Sequence, residues 1–402
     1  MNFKSFFLII LLFHLTFAFY GCFSPEKGKI NIQTPIEEKA EMTEVLDNNT
    51  NIIVSDTFQT SLAEFISGKN KSYFDSIIEI NEEFWTEFSS KINKDFSKIA
   101  LSRLDKITNW IKTDFLENEL DTCLLFYPFS GPDFLHANYL YPNANEYVLL
   151  ALEEVGHMPE WNKIGSKQTK KYLENTNYFL RDIYLRSYFI TKHMGLDIKD
   201  EKKITGVLPA LYWFIARAEY QIITMERITL NKTGEVIKQE NNNKGLDGVQ
   251  FQIIKKGSNK IQKLVYFCCD ISDDGFKEEN PELLIYLNNL RTHNTFVKSA
   301  SYLMHYRSFA KIRNLVLSKS KSIFQDDTGV PFKYVNNETW KIKHYGSYVK
   351  PIKDFESVMG IIFQDDLANV YKNQKMEKLP FSLGYHWKEA SDQNQMLLIK
   401  SD

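Results

Sequence analysis

The spacing of apolar residues changes along the chain, from an unbroken run to a helical period and then to a strand period. Residues 6–20 are almost entirely apolar, follow Lys4 and end at Gly21-Cys22. A membrane-spanning helix needs roughly 20 such residues, so this run is short for a span. A positive charge, a short apolar core and small residues at its end are typical of a secretory signal. The pattern predicts a signal peptide over residues 1–21.

Residues 22–55 are polar, charged and rich in Asn and Thr. Such a stretch cannot bury enough apolar surface to offset its ordering entropy, so we predict a disordered tether. Apolar residues then recur at helical spacing over residues 74–88 and 96–115. That period predicts two amphipathic helices that form an N-terminal layer on the rest of the fold.

Two short apolar runs, residues 122–129 and 146–152, flank a turn and a short helical piece. A strand, helix and strand in this order favour a parallel pair in one sheet. Helical spacing returns over residues 166–193, with a break near Asn177, and again after Gly206.

The period then changes to two. Residues 249–253 and 264–268 alternate around a Gly-Ser-Asn turn, which predicts an antiparallel hairpin. A helix is expected over residues 281–291, and short strands near Phe332, over residues 340–348 and over residues 381–387. The predicted fold is mixed α/β: a helical N-terminal layer on a mixed parallel and antiparallel sheet.

The composition indicates how large a folded region the chain can form and which partners its charge favours. With 402 residues and 43% hydrophobic content, the chain can bury a sizeable core, and we expect residues 56–402 to form one globular region. A division near residue 240 is the alternative. The 49 basic and 51 acidic side chains nearly cancel, so no global field favours nucleic acid. We therefore expect no nucleic-acid partner.

Cys22 is a candidate lipid-attachment site because a small residue precedes it at the end of the apolar run. We predict an exported lipoprotein of the cell envelope, held on the membrane by its N-terminal lipid and facing the periplasm or the outside. An ordinary cleaved signal with Cys22 incidental, or an uncleaved apolar anchor, are the alternatives. The membrane, bound through the N-terminal lipid, is then the predicted partner, and a small-molecule or protein partner stays open.

No metal site or cofactor is predicted. Cys123, Cys268 and Cys269 lack the spacing of metal ligands, and a bridge from Cys123 to one of the pair stays open. Residues 270–275 imitate the start of a calcium loop, but Pro281 stands where the final glutamate should be.

The densest local signal is residues 127–134, Tyr-Pro-Phe-Ser-Gly-Pro-Asp-Phe. A strand runs into a helix there, and open α/β sheets bind ligands at the carboxyl ends of their strands. Ser130 and Asp133 are therefore candidate ligand contacts. The simpler interpretation is that Ser130 or Gly131 caps the helix and Asp133 complements its dipole.

Three further residues are candidate ligand contacts. Asp326 and Asp327 are adjacent carboxylates, which could serve acid–base chemistry or only a turn. His157 follows a Gly near the end of a predicted strand, where it could be exposed to a ligand.

Several segments together resemble an uncharacterised family of exported bacterial proteins. They are residues 127–134, 141–144, 152–156, 206–209, 325–331 and 379–381, and the first and the fifth are the most specific. The resemblance covers most of the mature chain. It implies export, and it carries no known activity.

Catalytic residues cannot be assigned from these patterns. Our leading hypothesis is a membrane-tethered binding or structural module. The alternative is an exported hydrolase with its site at the Ser130–Asp133 turn, and a protein-assembly partner is a third class. The lipase-type G-x-S-x-G turn is absent around Ser130.

Overall fold

The computed structural model describes residues 42–45, 53–115, 124–199, 204–240, 245–358, 362–386 and 394–401. The predicted signal peptide, Cys22 and Cys123 lie outside the described residues. Within the stretch expected to be a tether, β1 (Met42–Val45) and β2 (Ile53–Asp56) form a short antiparallel pair. Among the described residues, no helix has both the length and the apolar character needed to cross a membrane.

One ten-stranded sheet organises the rest of the fold. Its order is β11-β12-β10-β9-β3-β4-β8-β7-β5-β6. The strands are β3 (Leu124–Tyr127), β4 (Glu146–Ala151), β5 (Tyr220–Leu230), β6 (Val236–Lys238), β7 (Asp247–Lys255), β8 (Ile261–Cys268), β9 (His293–Val297), β10 (Ser320–Gln325), β11 (Trp340–Gly346) and β12 (Asn394–Lys400). Strands from before and after residue 240 pair with each other in this sheet: β3 with β9, β4 with β8, and β5 with β7.

The middle of the sheet is parallel and both of its sides are antiparallel. β10, β9, β3, β4 and β8 run parallel. β7, β5 and β6 add antiparallel strands on one side, and β12 and β11 on the other. The fold is therefore mixed α/β, as predicted. The parallel β3–β4 pair and the β7–β8 hairpin are both confirmed.

Helices cover both faces of the sheet. They are α1 (Thr57–Ile66), α2 (Glu82–Ile99), α3 (Asp105–Trp110), α4 (Phe134–Leu140), α5 (Ser166–Phe179), α6 (Arg181–Arg186), α7 (Thr191–Lys199), α8 (Leu208–Arg217), α9 (Pro281–Asn289), α10 (Ala310–Lys319) and α11 (Asp365–Asn373). The helices before β5 contribute to one buried cluster and α9, α10 and α11 to the other. Alternate strand residues face the two clusters, since Cys268 lies in one and Cys269 in the other.

Four local predictions are wrong. Phe74 lies in a single 3₁₀ turn, and the helix begins only at Glu82, where Asn81 accepts a hydrogen bond from the Phe84 amide. That helix continues through π-helical turns to Phe115, so the two predicted helices are one run. In place of the strand expected over residues 381–387, Gly384–His386 is a 3₁₀ turn. Phe332 also begins a 3₁₀ turn.

Candidate functional site

The carboxyl ends of β3, β9 and β10 bring together charged side chains that are distant in sequence. β3 leads to Asp133, β9 is followed directly by Lys298, and β10 is followed directly by Asp326. These three side chains are at most 3% exposed. Burying a charge is costly unless it is paired, so each of them needs a partner within the protein.

Asp133 is the centre of this cluster. Its carboxylate accepts the Lys298 ammonium at 2.5 Å and the Tyr127 hydroxyl at 3.2 Å. It also accepts the ring Nδ1–H of His136 at 2.9 Å and the His136 backbone amide at 3.2 Å. Burial alone would raise the pKa of Asp133, but His136 and Lys298 outweigh it and lower that pKa to about 2. The carboxylate is therefore ionised at neutral pH. We call these four residues, with Asp326, the carboxyl-edge cluster.

The same contacts fix the state of His136. Because an ionised carboxylate can only accept, ring Nδ1 carries the proton and Nε2 of a neutral ring is an acceptor. Burial lowers the pKa of His136 to about 4, against the opposing effect of Asp133. The ring is fully buried, and its Nε2 has no hydrogen-bond partner in the described part of the chain. The cluster thus presents an unused neutral acceptor at pH 7.

An unpartnered ring nitrogen is not by itself distinctive in this protein. Nε2 of His293, His305 and His344 also lacks a partner among the described residues. What separates His136 from His293 is its surroundings, because His293 Nδ1 contacts only the backbone oxygen of Arg291, at 2.9 Å. His136 instead lies beside an ion pair at a strand edge where ligands commonly bind.

A second buried cation lies beside the cluster. Arg103 is 8% exposed and donates to the Ile183 backbone oxygen at 3.2 Å. Burial lowers its pKa to about 10, so it remains charged at neutral pH. Buried side chains of both signs therefore lie at this edge: Lys298 and Arg103 are basic, and Asp133, Asp326 and Asp327 are acidic.

Asp326 is bound mainly to backbone and hydroxyl donors. It accepts from the amide and hydroxyl of Thr328 at 3.0 and 2.5 Å, and from the Ser299 amide at 3.4 Å. Gly384 fits tightly beside it, since an added Cβ would lie 3.1 Å from the Asp326 carboxylate and 2.8 Å from Ser299 Oγ. The Thr328 hydroxyl in turn accepts the Ala300 amide at 2.9 Å. These contacts join the ends of β9 and β10.

Left-handed backbone is concentrated at this edge. Six described residues other than glycine have positive φ, and four of them lie within five residues of the end of β3 or β9: Phe129, Ser299, Ser301 and Tyr302. A fifth, Ser187, accepts the Lys298 ammonium through its backbone oxygen. Such conformations cost of order 1–3 kcal/mol each and cluster at functional sites.

Two segments close over the cluster. We call residues 187–191 the covering segment. Its Ser187 contacts Lys298, and the Ser187 hydroxyl accepts the Gly384 amide at 2.8 Å. The Tyr188 ring contacts the Tyr385 ring with centroids 4.8 Å apart. These contacts join the covering segment and Gly384–His386 to each other and to the cluster.

The predicted contact residues fall into three groups. Asp133 and Asp326 belong to the cluster. Ser130 lies beside it, but its hydroxyl donates to the backbone oxygens of Gly131 and Leu150 at 2.7 and 3.2 Å, so the expected Ser130 cap is wrong. Asp133 itself caps α4. Asp327 is buried as well, and accepts the Tyr302 hydroxyl at 2.5 Å.

His157 lies apart from this group. It is exposed, and its backbone amide and oxygen pair with the Thr205 hydroxyl at 2.9 and 2.8 Å. The structure therefore leaves His157 outside the buried cluster.

The calcium-like residues 270–275 form a closed turn. Asp270 accepts the Ser272 amide at 2.8 Å, and Ser272 accepts the Gly275 amide at 3.0 Å. Within the described ranges, no group of three or more His, Cys, Asp or Glu side chains is placed to hold a metal ion.

Sequence reasoning missed His136, Lys298 and Arg103. His136 carries the one local signal, because it stands three residues after Asp133 at the start of a helix. Lys298 is 165 residues from Asp133 in sequence, and nothing near it indicates that partner.

Comparisons with known proteins add no relative. No protein-family model matches this chain, and a search of curated proteins finds no significant match. The resemblance to exported bacterial proteins therefore stays a prediction.

Proposed function

We propose that this protein is an exported, lipid-anchored binding module of the cell envelope, and that it takes a small polar ligand at the carboxyl-edge cluster. The N-terminal apolar run and Cys22 support the anchor. The observation that carries the binding site is the buried His136 Nε2, an acceptor that Asp133 orients and that has no hydrogen-bond partner among the described residues.

The chemistry of that acceptor defines the ligand. Nε2 requires a donor, so the ligand presents a hydroxyl or an N–H group to it. A buried acceptor without a partner costs about 1–3 kcal/mol, and a ligand that satisfies it recovers that energy. Charges of both signs lie at the site, on Arg103 and Lys298 and on Asp133, and they fit a ligand that is zwitterionic or neutral.

Binding fits His136 better than general-base catalysis. An efficient general base has a pKa near the working pH. The pKa of His136 is about 4, since burial opposes formation of the imidazolium. A ring with this pKa accepts a hydrogen bond at neutral pH but gains a proton reluctantly.

The ligand site is tested with two matched variants. In His136→Asn the side-chain amide can replace Nδ1 as the donor to Asp133, but Nε2 is lost. His293→Asn removes a buried histidine at the opposite end of β9. Thermal unfolding of the full chain is measured against sugars, amino acids, nucleosides and short peptides, because a ligand of the folded state raises the unfolding temperature.

We expect at least one compound to raise the unfolding temperature of wild type and of His293→Asn, but not of His136→Asn. A shift that survives in His136→Asn would remove His136 from the site. A panel without any shift in wild type would count against a small ligand.

The anchor is tested by fractionation. Cys22→Ser should move the protein from the membrane to the soluble fraction, because lipid attachment needs the thiol. Cys268→Ser is the control for loss of a thiol. Continued membrane attachment of Cys22→Ser would identify the apolar run itself as the anchor.

A second candidate is an exported hydrolase. The Asp133–His136 pair favours it, because a carboxylate that orients an imidazole is common in hydrolytic sites. Ser130 is a poor nucleophile here, since its hydroxyl donates to backbone oxygens. Turnover of ester, phosphate or glycoside substrates that disappears in His136→Asn and persists in His293→Asn would replace the binding proposal.

A further inference from the structure

Exposed apolar side chains are concentrated on α5, α6 and α7. Five large apolar side chains among the described residues are more than half exposed, and three of them are Tyr178, Leu185 and Leu196. Each of the three helices carries one of these residues. Single exposed apolar residues are ordinary on a protein surface, but a group of them commonly marks an interaction site.

The same helices form a basic part of the chain. Residues 161–199 contain eight Lys and Arg residues and three Asp and Glu residues, a formal charge of +5 in a chain whose total is −2. Two of the three acidic side chains are buried and paired: Asp182 contacts the His193 ring at 2.7 Å, and Asp197 contacts Arg181 at 2.5 Å. The exposed charges of this region are therefore mostly positive.

The outer side of α5 carries both features. Its exposed residues recur at intervals of three and four, which places them on one side of the helix, while Leu173 packs in the core. They are Lys167, Lys171, Glu174 and Tyr178. Neither lysine forms a salt bridge with a described side chain. Both ammonium groups are therefore available to an external partner.

Arg181 connects the three helices at this surface. Its guanidinium lies 4.0 Å from the centroid of the Tyr178 ring at the end of α5, and it donates to Asp197 of α7 at 2.5 Å. Leu185 stands one helical turn after Arg181 on α6, and Leu196 directly precedes Asp197. The three exposed apolar side chains are therefore grouped around one ion pair.

A third available lysine belongs to the same surface. Lys192 is exposed and stands one helical turn before Leu196 on α7. It too forms no salt bridge with the residues that the structure describes. We call this surface the basic helical face. It consists of Lys167, Lys171, Tyr178, Leu185, Lys192 and Leu196.

An anionic lipid surface complements both the charge and the apolar side chains of this face. Lysines near such a surface are attracted to its headgroups, while leucine and tyrosine side chains enter the boundary between headgroups and acyl chains. A soluble polyanion would also attract the lysines, but it would give the leucines no apolar contact. The combination therefore favours lipid.

We propose that the basic helical face docks on anionic lipid headgroups and thereby orients the folded region on the membrane. This inference rests on the proposed membrane anchor, because a lipid at Cys22 holds the chain near a bilayer without choosing which face meets it. The covering segment connects α6 to α7, so this orientation would place it close to the membrane.

Acylation of lysines in the lipidated full chain tests this orientation. The protein is reconstituted on vesicles of phosphatidylcholine and on vesicles that also contain phosphatidylglycerol, and a water-soluble reagent labels its lysines. Mass spectrometry measures the labelling at each position. We expect labelling of Lys167, Lys171 and Lys192 to fall about fivefold or more on the anionic vesicles, since each lysine favours contact by about fivefold. The exposed Lys341 on β11 should keep its labelling.

Variants of the exposed apolar residues distinguish lipid from other acidic partners. Leu185→Ser combined with Leu196→Ser leaves every lysine in place, and should restore most of the labelling on anionic vesicles because the apolar contact is lost. Val349→Ser removes an exposed apolar side chain outside the face and should behave as wild type. All three side chains are exposed, so their loss should leave the fold intact.

Equal labelling of the three face lysines on the two kinds of vesicle would overturn the proposal. Protection that persists in the double leucine variant, and that soluble polyglutamate reproduces, would identify an acidic macromolecule in place of lipid and would overturn it as well. Attachment to the phosphatidylcholine vesicles depends on the anchor alone, whereas protection on the anionic vesicles depends on the face. Failure of the anchor and failure of the face are therefore distinguishable.

Discussion

The two ends of the parallel strands bury different kinds of polar group. At the amino end of β9 and β10 the buried groups are neutral: Thr295 contacts Ser320 through their hydroxyls at 2.6 Å, and Ser322 donates to the Asn294 amide oxygen at 2.9 Å. At the carboxyl end the buried groups are charged and the backbone is left-handed. Burying charged groups is costly even when they are paired, and the binding function proposed above would account for that cost at the charged end.

The largest difference between the two ends should appear on breaking the ion pair. Lys298→Met leaves Asp133 ionised and buried, and should lower the free energy of unfolding by about 3–5 kcal/mol. Adding Asp133→Asn should recover part of that loss, because the uncompensated charge is removed. Urea unfolding of both proteins measures this. Equal losses of unfolding free energy in the single and double variants would show that pairing of the Asp133 charge does not stabilise this edge.

The next effect depends on pH. Glu153 lies two residues after β4 and is buried, and burial raises its folded-state pKa from 4.5 to about 7. The protonated Glu153 therefore contributes fully to the free energy of unfolding below pH 4.5, and this contribution is lost as the pH rises to about 7. Glu153→Gln should remove this dependence and stabilise the protein by about 3 kcal/mol at pH 8. Urea unfolding at several pH values measures it.

Glu146 is the matched control for Glu153. It begins the same strand at the amino edge and pairs with Lys263 at 2.7 Å. Glu146→Gln should give no gain at pH 8. If Glu146→Gln and Glu153→Gln were equally stable at every pH, the carboxyl groups at the two ends of β4 would not differ in their cost of ionisation.

A glycine pair gives a smaller contrast. Gly384 has φ +63° and no room for a Cβ, so Gly384→Ala should cost about 2 kcal/mol. Gly195, inside α7, has nothing within 4 Å of an added Cβ, and Gly195→Ala should stabilise by about 0.5–1 kcal/mol. Thermal unfolding distinguishes a stabilising from a destabilising substitution. An unchanged unfolding temperature for Gly384→Ala would mean that Gly384–His386 is loosely packed on the cluster.

The smallest effect should be the same at both ends. Ser130→Ala and Ser320→Ala each remove one buried, hydrogen-bonded hydroxyl group, and each should cost about 1 kcal/mol in urea unfolding. A loss at Ser130 several times larger than at Ser320 would give Ser130 a role that its backbone contacts do not explain.

Local sequence patterns were sufficient to predict the helices and strands whose apolar residues recur with one period. β3, α4 and β4 were predicted because apolar strands flank clear turn residues. β9 and β10 were missed because their polar residues, such as Asn294 and Ser322, satisfy each other only after the strands pair. A sequence does not show such cross-strand contacts.

The site was predicted only in part for the same reason. The turn before α4 marked Asp133, and the adjacent carboxylates marked Asp326. Lys298 and His136 became candidates only when the sheet placed both beside Asp133. Periodicity and spacing report neighbours along the chain, whereas this site is built from contacts between distant segments.

The proposed binding site depends most directly on the protonation state and tautomer of the His136 ring. Nitrogen NMR of the histidine rings reports which ring nitrogen carries the proton, and resonances of His136 and His293 are assigned with the two Asn variants. We predict that the His136 ring is neutral from about pH 6 to pH 8, with the proton on Nδ1 and none on Nε2. A compound that stabilises wild type should then shift the His136 Nε2 signal and leave that of His293 unchanged. An imidazolium or an Nε2-protonated ring at neutral pH, or equal shifts of both histidines, would contradict the account.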